Sequence, residues 1–185
     1  KIFRAEGHWK RLDHSLKGVS MKIPWSRSDL TKACLATLNA NRLTEALVRV
    51  TLSRGPGELG YDPRTAVRPT LTVIALPVRA DLPDLWNKGV KIAIVSVRRN
   101  SVKSLNPAIK HTNSLNGILA KIEALKKGAF EGVFLNLDGN LAEGTISNVF
   151  IVKNDILETP SLDCGILDGE EIVNDPTVEQ LVRAS

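Results

Sequence analysis

Aromatic residues are scarce in this chain, at 4%, and no apolar run approaches the roughly 18–20 residues of a membrane span. The longest candidate, Leu71 to Val78, is interrupted by Thr72 and Pro77, so no crossing of a bilayer is expected. Cysteine is nearly absent. Cys34 and Cys164 cannot build a disulfide framework, and no close Cys/His spacing offers a zinc site, so a reducing, cytoplasmic setting and no metal are expected. Repeats and low-complexity tracts are also missing. With 43% hydrophobic and 24% charged residues, the composition excludes collagen-like and wholly disordered classes. The balance of 25 basic and 20 acidic residues gives +5 and a pI near 9.4. A nucleic-acid reader would need a basic stripe with interleaved aromatics. Here Lys and Arg are scattered, and Arg98-Arg99 and Lys126-Lys127 have no aromatic neighbours between them, so the basicity suits a soluble surface or an anionic small ligand.

What is present is patterned for one large domain or two small ones in 185 residues. Gly7 to Leu16 reads as a helix. Ser28 is placed to cap a second, over about Asp29 to Asn39, with Leu30, Ala33, Cys34 and Leu38 on one face. Ala46 to Ser53 alternates as a strand, and Pro69 to Pro77 holds another. Val78 to Asn87 reads as a connector, which divides the chain into residues 1–84 and 85–185. Beyond it, Val90 to Val97 suits a buried strand, and Ser114 to Lys127 a helix with Leu115, Ile118, Leu119, Ile122 and Leu125 in register. Gly132 to Leu137, a turn at Asp138-Gly139-Asn140, and Val149 to Val152 complete the pattern. Strands in both halves with helices between them predict an α/β or α+β fold of two lobes.

Three separated stretches carry the chemistry: His8-Trp9-Lys10-Arg11-Leu12, then Asn106 to Asn113 around Lys110, then Leu141-Ala142-Glu143-Gly144-Thr145-Ile146-Ser147-Asn148-Val149-Phe150. With Gly165-Ile166-Leu167-Asp168-Gly169 they resemble the class IV pyridoxal-phosphate aminotransferases, a family of branched-chain and D-amino-acid aminotransferases and 4-amino-4-deoxychorismate lyases. The resemblance runs from about His8 to Gly169, and Glu-Gly-Thr-x-Ser-Asn-x-Phe is its most specific part. It implies a fold-type IV enzyme with pyridoxal 5′-phosphate between the lobes. It also implies a homodimer, and amino-acid and keto-acid substrates that exchange an amino group through a lysine aldimine.

By that resemblance Lys110 is the Schiff-base lysine, set after the bend at Pro107-Ala108-Ile109; burial is the usual way to activate such an amine. Glu143 is the partner of the pyridine nitrogen, and Gly144 admits close backbone approach. Thr145 or Ser147 would offer a hydroxyl to the cofactor, and Asn148 would order the turn. Arg11, 99 positions before Lys110, is the phosphate arginine, since a guanidinium donates in a planar fork and stays charged. Ile166 and Leu167 belong to the phosphate-binding stretch. His8 and His14 read as structural or exposed, and Arg98 or Arg99 as candidates for a substrate carboxylate.

Some positions depart from the family pattern. Glu170-Glu171 stand where a hydrophobic residue, Thr and Arg usually follow, and two acids beside a phosphate repel it. The segment from Asn174 to Leu181 reads like the end of such a protein, and Lys1-Ile2-Phe3-Arg4 like mid-chain sequence. The chain is therefore expected to be part of a longer protein, with Gly169 and Glu170 not covalent neighbours in it. The alternative is a true deletion, which would favour a cofactor-free binding homologue. Ser114 replaces the Tyr frequent in branched-chain enzymes, and Ile109-Lys110-His111-x-Asn113 is closer to the lyases, which release pyruvate and 4-aminobenzoate.

Overall fold

The structure is a computed structural model, which describes residues 2–169. The expectations placed on Glu170 and beyond, including the break after Gly169, lie outside the described residues. Two compact units emerge. Among the described residues, one holds 2–3 and 16–83, and the other 4–15 and 84–169.

In the first unit, helix α2 (Arg27–Ala40) is capped by Ser26, two residues before the expected Ser28. The reason is a reciprocal pair: Asp29 N–H donates to Ser26 Oγ at 3.2 Å, and Ser26 N–H donates to Asp29 Oδ2 at 3.0 Å. Ser28 cannot make that exchange from inside the first turn. Leu30 and Cys34, four residues apart, are buried at 2% and 1% exposure, on the face that meets strands β1 (Ala46–Ser53) and β2 (Thr70–Pro77). The two strands pair antiparallel from Ala46↔Pro77 to Ser53↔Thr70.

The second unit starts with helix α1 (Ala5–Gly18) up to Ser15, whose Trp9 and Ser15 are buried. The expected connector contains a short helix, α3 (Leu82–Lys88). The expected buried strand shortens to β3 (Ile92–Ile94), with Ile92 and Ile94 half exposed. Helix α4 (Leu115–Lys126) returns the chain so that β4 (Glu131–Leu135) lies parallel to β3, as a crossover connection requires. Strand β5 (Leu141–Gly144) then pairs antiparallel to β4 around the Asn136–Asn140 turn. A small hairpin, β6 (Ile151–Lys153) with β7 (Ile156–Glu158), turns on Asn154 and Asp155, both at positive φ.

Helix α4 shows two distinct faces within the described residues. Its large apolar side chains Leu115, Ile118, Leu119, Ile122 and Leu125 are all exposed, and Ala120 and Ala124 on the opposite face are fully buried. The sheet decides this. A Cβ on Gly132 of β4 would lie 3.1 Å from the Ala120 carbonyl oxygen and 3.3 Å from Ala124 Cβ. At that approach only methyl groups fit between helix and sheet. Around them Val95, Ala129, Phe134, Ala142 and Ile166 close the core.

Candidate active site

The segment entering Lys110 is fixed by local chemistry. Asn106 Oδ1 accepts the Ala108 N–H at 3.0 Å and its carbonyl accepts the Ile109 N–H at 3.1 Å, which makes the bend around buried Pro107. The N–H of Lys110 itself donates to Ser15 Oγ at 3.0 Å, and that hydroxyl donates to the Arg11 carbonyl at 3.0 Å. Ser15, at 5% exposure, thus ties the lysine segment to α1 within one unit. Nothing in the sequence pattern marked Ser15 beyond its place one turn after Arg11. Lys110 is exposed along the wall of a cavity.

That cavity, about 390 Å³, lies in the second unit and is lined among others by Lys110, His111, Glu143, Thr145, Ser147 and Leu167. Glu143, at the end of β5, is 6% exposed. Its Oε1 lies 2.5 Å from Arg99 Nη2, and its Oε2 accepts the Leu167 N–H at 2.9 Å. Asn148 Nδ2 lies 3.5 Å from the same oxygen and donates to the Leu167 carbonyl at 3.3 Å, so it does order the turn. Burial pushes the Glu143 carboxyl above its ordinary pKa, although Arg99, the Leu167 N–H and Lys110 each favour the charged form. Arg99 is committed here and is not open to a substrate carboxylate. Its Nε donates to the Gly165 carbonyl at 3.3 Å and its guanidinium lies 5.6 Å from the centre of the Phe134 ring.

Gly144 is required by packing, because a Cβ there would stand 2.2 Å from Ser147 Oγ. The hydroxyls of Thr145 and Ser147 both donate to Glu131, at 2.6 and 3.3 Å. Arg11 does not line the cavity. Its Nη1 donates to the Asp168 carbonyl at 3.3 Å, and Nη2 lies 3.2 Å from His8 Nδ1. It therefore meets the Gly165–Gly169 stretch at Asp168. Ile166 is 2% exposed with its side chain in the core, and the Leu167 N–H is engaged by Glu143. Any contact of Ile166 with a ligand is through its backbone.

The site fits a polar small molecule. Its volume lies within the roughly 300–1,000 Å³ of such pockets. Two cavity-lining residues carry buried polar atoms with no hydrogen-bond partner among the described residues, His111 Nδ1 and Asn116 Oδ1, which a ligand can satisfy. Burial first, then Arg99, lowers the pKa of His111, so its imidazole is kept neutral. An amine and a buried carboxylate held against a guanidinium line one cavity, and Arg11 of α1 contacts the glycine-bounded stretch beside it.

Residues 1–169 match the family described as amino-transferase class IV, and the chain belongs to that family. It is 41% identical over 168 residues to a protein of Methanocaldococcus jannaschii provisionally named a branched-chain-amino-acid aminotransferase, covering 91% of this chain and 57% of that one. It is 32% identical to the aminodeoxychorismate lyase of Bacillus subtilis, over 90% of this chain and 56% of the lyase. Among solved structures, the branched-chain amino acid aminotransferase of Thermobaculum terrenum, in its PLP-bound holo-form, superposes with a TM-score of 0.78 at 26% identity, over 91% of this chain and 54% of that one. The fold is thus that of fold-type IV aminotransferases. The chain spans little more than half the length of these relatives.

Proposed function

We propose that the chain carries the pyridoxal 5′-phosphate site of an aminotransferase that moves an amino group between a branched-chain or D-amino acid and a 2-keto acid. The observation that carries this reading is Lys110 and Glu143 lining one cavity, with Arg11 against the glycine-bounded stretch that adjoins it. When bound, the cofactor supplies an electron sink for the pair released at the substrate's Cα. Lys110 anchors the cofactor and moves the proton at Cα. Glu143 holds the pyridine nitrogen protonated, and Arg99 fixes that carboxylate in place. Arg11, together with backbone of residues 166–169, receives the phosphate. Family membership, the cavity and the holo-form of the Thermobaculum terrenum enzyme support these roles.

A second reading is favoured by one feature. His111, which follows Lys110, faces the cavity as a neutral imidazole, and the Bacillus lyase is among the relatives. In that case the same first deprotonation precedes expulsion of pyruvate from aminodeoxychorismate. Incubating the purified protein with L-amino acids, D-amino acids and aminodeoxychorismate, while following cofactor absorbance and products, separates the readings. Borohydride treatment should fix the cofactor mass on the peptide containing Lys110; mass on Lys103 or Lys121 would overturn the assignment. The same reading carries a homodimer, two domains meeting near residues 84 and 85, and a cytoplasmic setting, which light scattering, limited proteolysis and cell fractionation test. No helix among the described residues is long and apolar enough to cross a membrane.

A further inference from the structure

Among the described residues two carboxylates are buried, and the proposed mechanism uses only Glu143. The other, Glu131, is 8% exposed at the first position of β4. It does not line the cavity. A carboxylate out of water is tolerated only where hydrogen bonds replace its hydration, and the donors that do so here are specific. Oε1 accepts the Gly132 N–H at 2.8 Å, the Thr145 hydroxyl at 2.6 Å and the Thr145 N–H at 3.4 Å. Oε2 accepts the Ser147 hydroxyl at 3.3 Å. Apart from its own neighbour's N–H, every one of these donors belongs to the turn that follows Glu143.

We infer that Glu131 is a positioning residue that sets the cofactor-facing shape of the Gly144–Asn148 turn through the hydroxyls of Thr145 and Ser147. Both carboxyl oxygens of Glu131 accept here, so each hydroxyl spends its single proton on them. Thr145 and Ser147 then offer the cavity lone pairs, the complement of a donor such as a substrate amine and the wrong complement for a phosphate oxygen. Held by Glu131, Ser147 sits over Gly144, whose N–H donates to the Ser147 carbonyl at 2.7 Å, and this closes the turn. The same turn carries Asn148 to the Glu143 and Leu167 contacts. A buried carboxyl group outside the cavity thereby shapes the turn that lines it.

The part of this inference that concerns the cofactor rests on the proposed function; the part that concerns the turn does not. The test uses the full chain as wild type, Glu131→Gln, Glu131→Ala, the pair Thr145→Val with Ser147→Ala, and all three substitutions together. Two readouts are taken: amide hydrogen exchange at residues 144–148 without cofactor, and the dissociation constant for pyridoxal 5′-phosphate added to cofactor-free protein. Glu131→Ala should speed exchange across the turn and weaken cofactor binding at least about tenfold. The hydroxyl pair should do nearly the same, and the triple variant should add little, because both act through one set of bonds. Glu131→Gln keeps an acceptor for Thr145 and should restore most of the binding, and it serves alone if the alanine variant does not fold. Wild-type exchange in Glu131→Ala, or additive losses in the triple variant, would overturn the inference. If wild type itself binds no cofactor, the functional reading fails and the exchange data still decide the role of Glu131.

Discussion

Replacing Arg99 with Met keeps the length and packing of the side chain and deletes the charge that faces Glu143. Both partners are well buried, at 17% and 7% side-chain exposure, and their closest atoms lie 2.5 Å apart. Solvent screening therefore relieves little of the loss. Removing one partner of such a pair costs about 3–5 kcal/mol, because the remaining charge is left in a site built for two. The Leu167 N–H still donates to Glu143, which places the expected value at the low end of that range, about 3 kcal/mol. For a domain of this size that is roughly 6–12 °C in Tm. The sign of the pH dependence follows from the remaining carboxyl. Burial already raises the pKa of Glu143 above its unfolded value, and without Arg99 it rises further. The folded variant then takes up a proton more readily than the unfolded chain, so its stability recovers as pH falls through the raised pKa of Glu143 towards the ordinary carboxylate range. Urea titrations of wild type, Arg99→Met and Arg99→Met with Glu143→Gln at several pH values check this. The double variant should recover much of the loss at neutral pH. A loss independent of pH, or no loss at all, would show that the ion pair does not hold the site.

Four further outcomes are expected. Lys110→Ala should abolish turnover, measured with any accepted amino donor, and should leave the urea midpoint near wild type because Lys110 is exposed. Ser15→Ala removes the acceptor of the part-buried Lys110 N–H and should cost about 1 kcal/mol, read by urea unfolding, with a parallel fall in turnover. Gly144→Ala drives a methyl against Ser147 and should destabilise by about 1–3 kcal/mol while weakening cofactor binding, read by titration of cofactor-free protein. Glu123, whose carboxylate accepts from Lys127 and from the Ser96 N–H and hydroxyl, has its pKa lowered from 4.5 to about 2. Its contribution is therefore full above about pH 4.5 and lost as pH falls towards about 2, so acid unfolding of Glu123→Gln should be less steep in that window.

The sequence by itself determined the local elements and the family. Alternation over residues 46–53 specifies β1, since strand periodicity is a property of the chain alone. Lys110, Glu143, Arg11 and the Gly165–Gly169 stretch were picked out by the family resemblance, and the fold brings Lys110 and Glu143 to one cavity and Arg11 against Asp168. Three things were decided only by tertiary structure. Helical periodicity on α4 identifies an apolar stripe but not which face meets the sheet. That was settled by the close approach at Gly132, which admits only Ala120 and Ala124 on the sheet side and leaves the leucines and isoleucines on the opposite face. The partners of Glu143 came from Arg99 and Leu167, 44 and 24 positions away, and no spacing rule links such positions. Ser15 and Glu131 carried no chemical signature, because a serine or a glutamate reads as surface until the fold withdraws it from water. Their roles exist only because burial leaves each with hydrogen bonds that must be made, and the nearest donors and acceptors belong to the site.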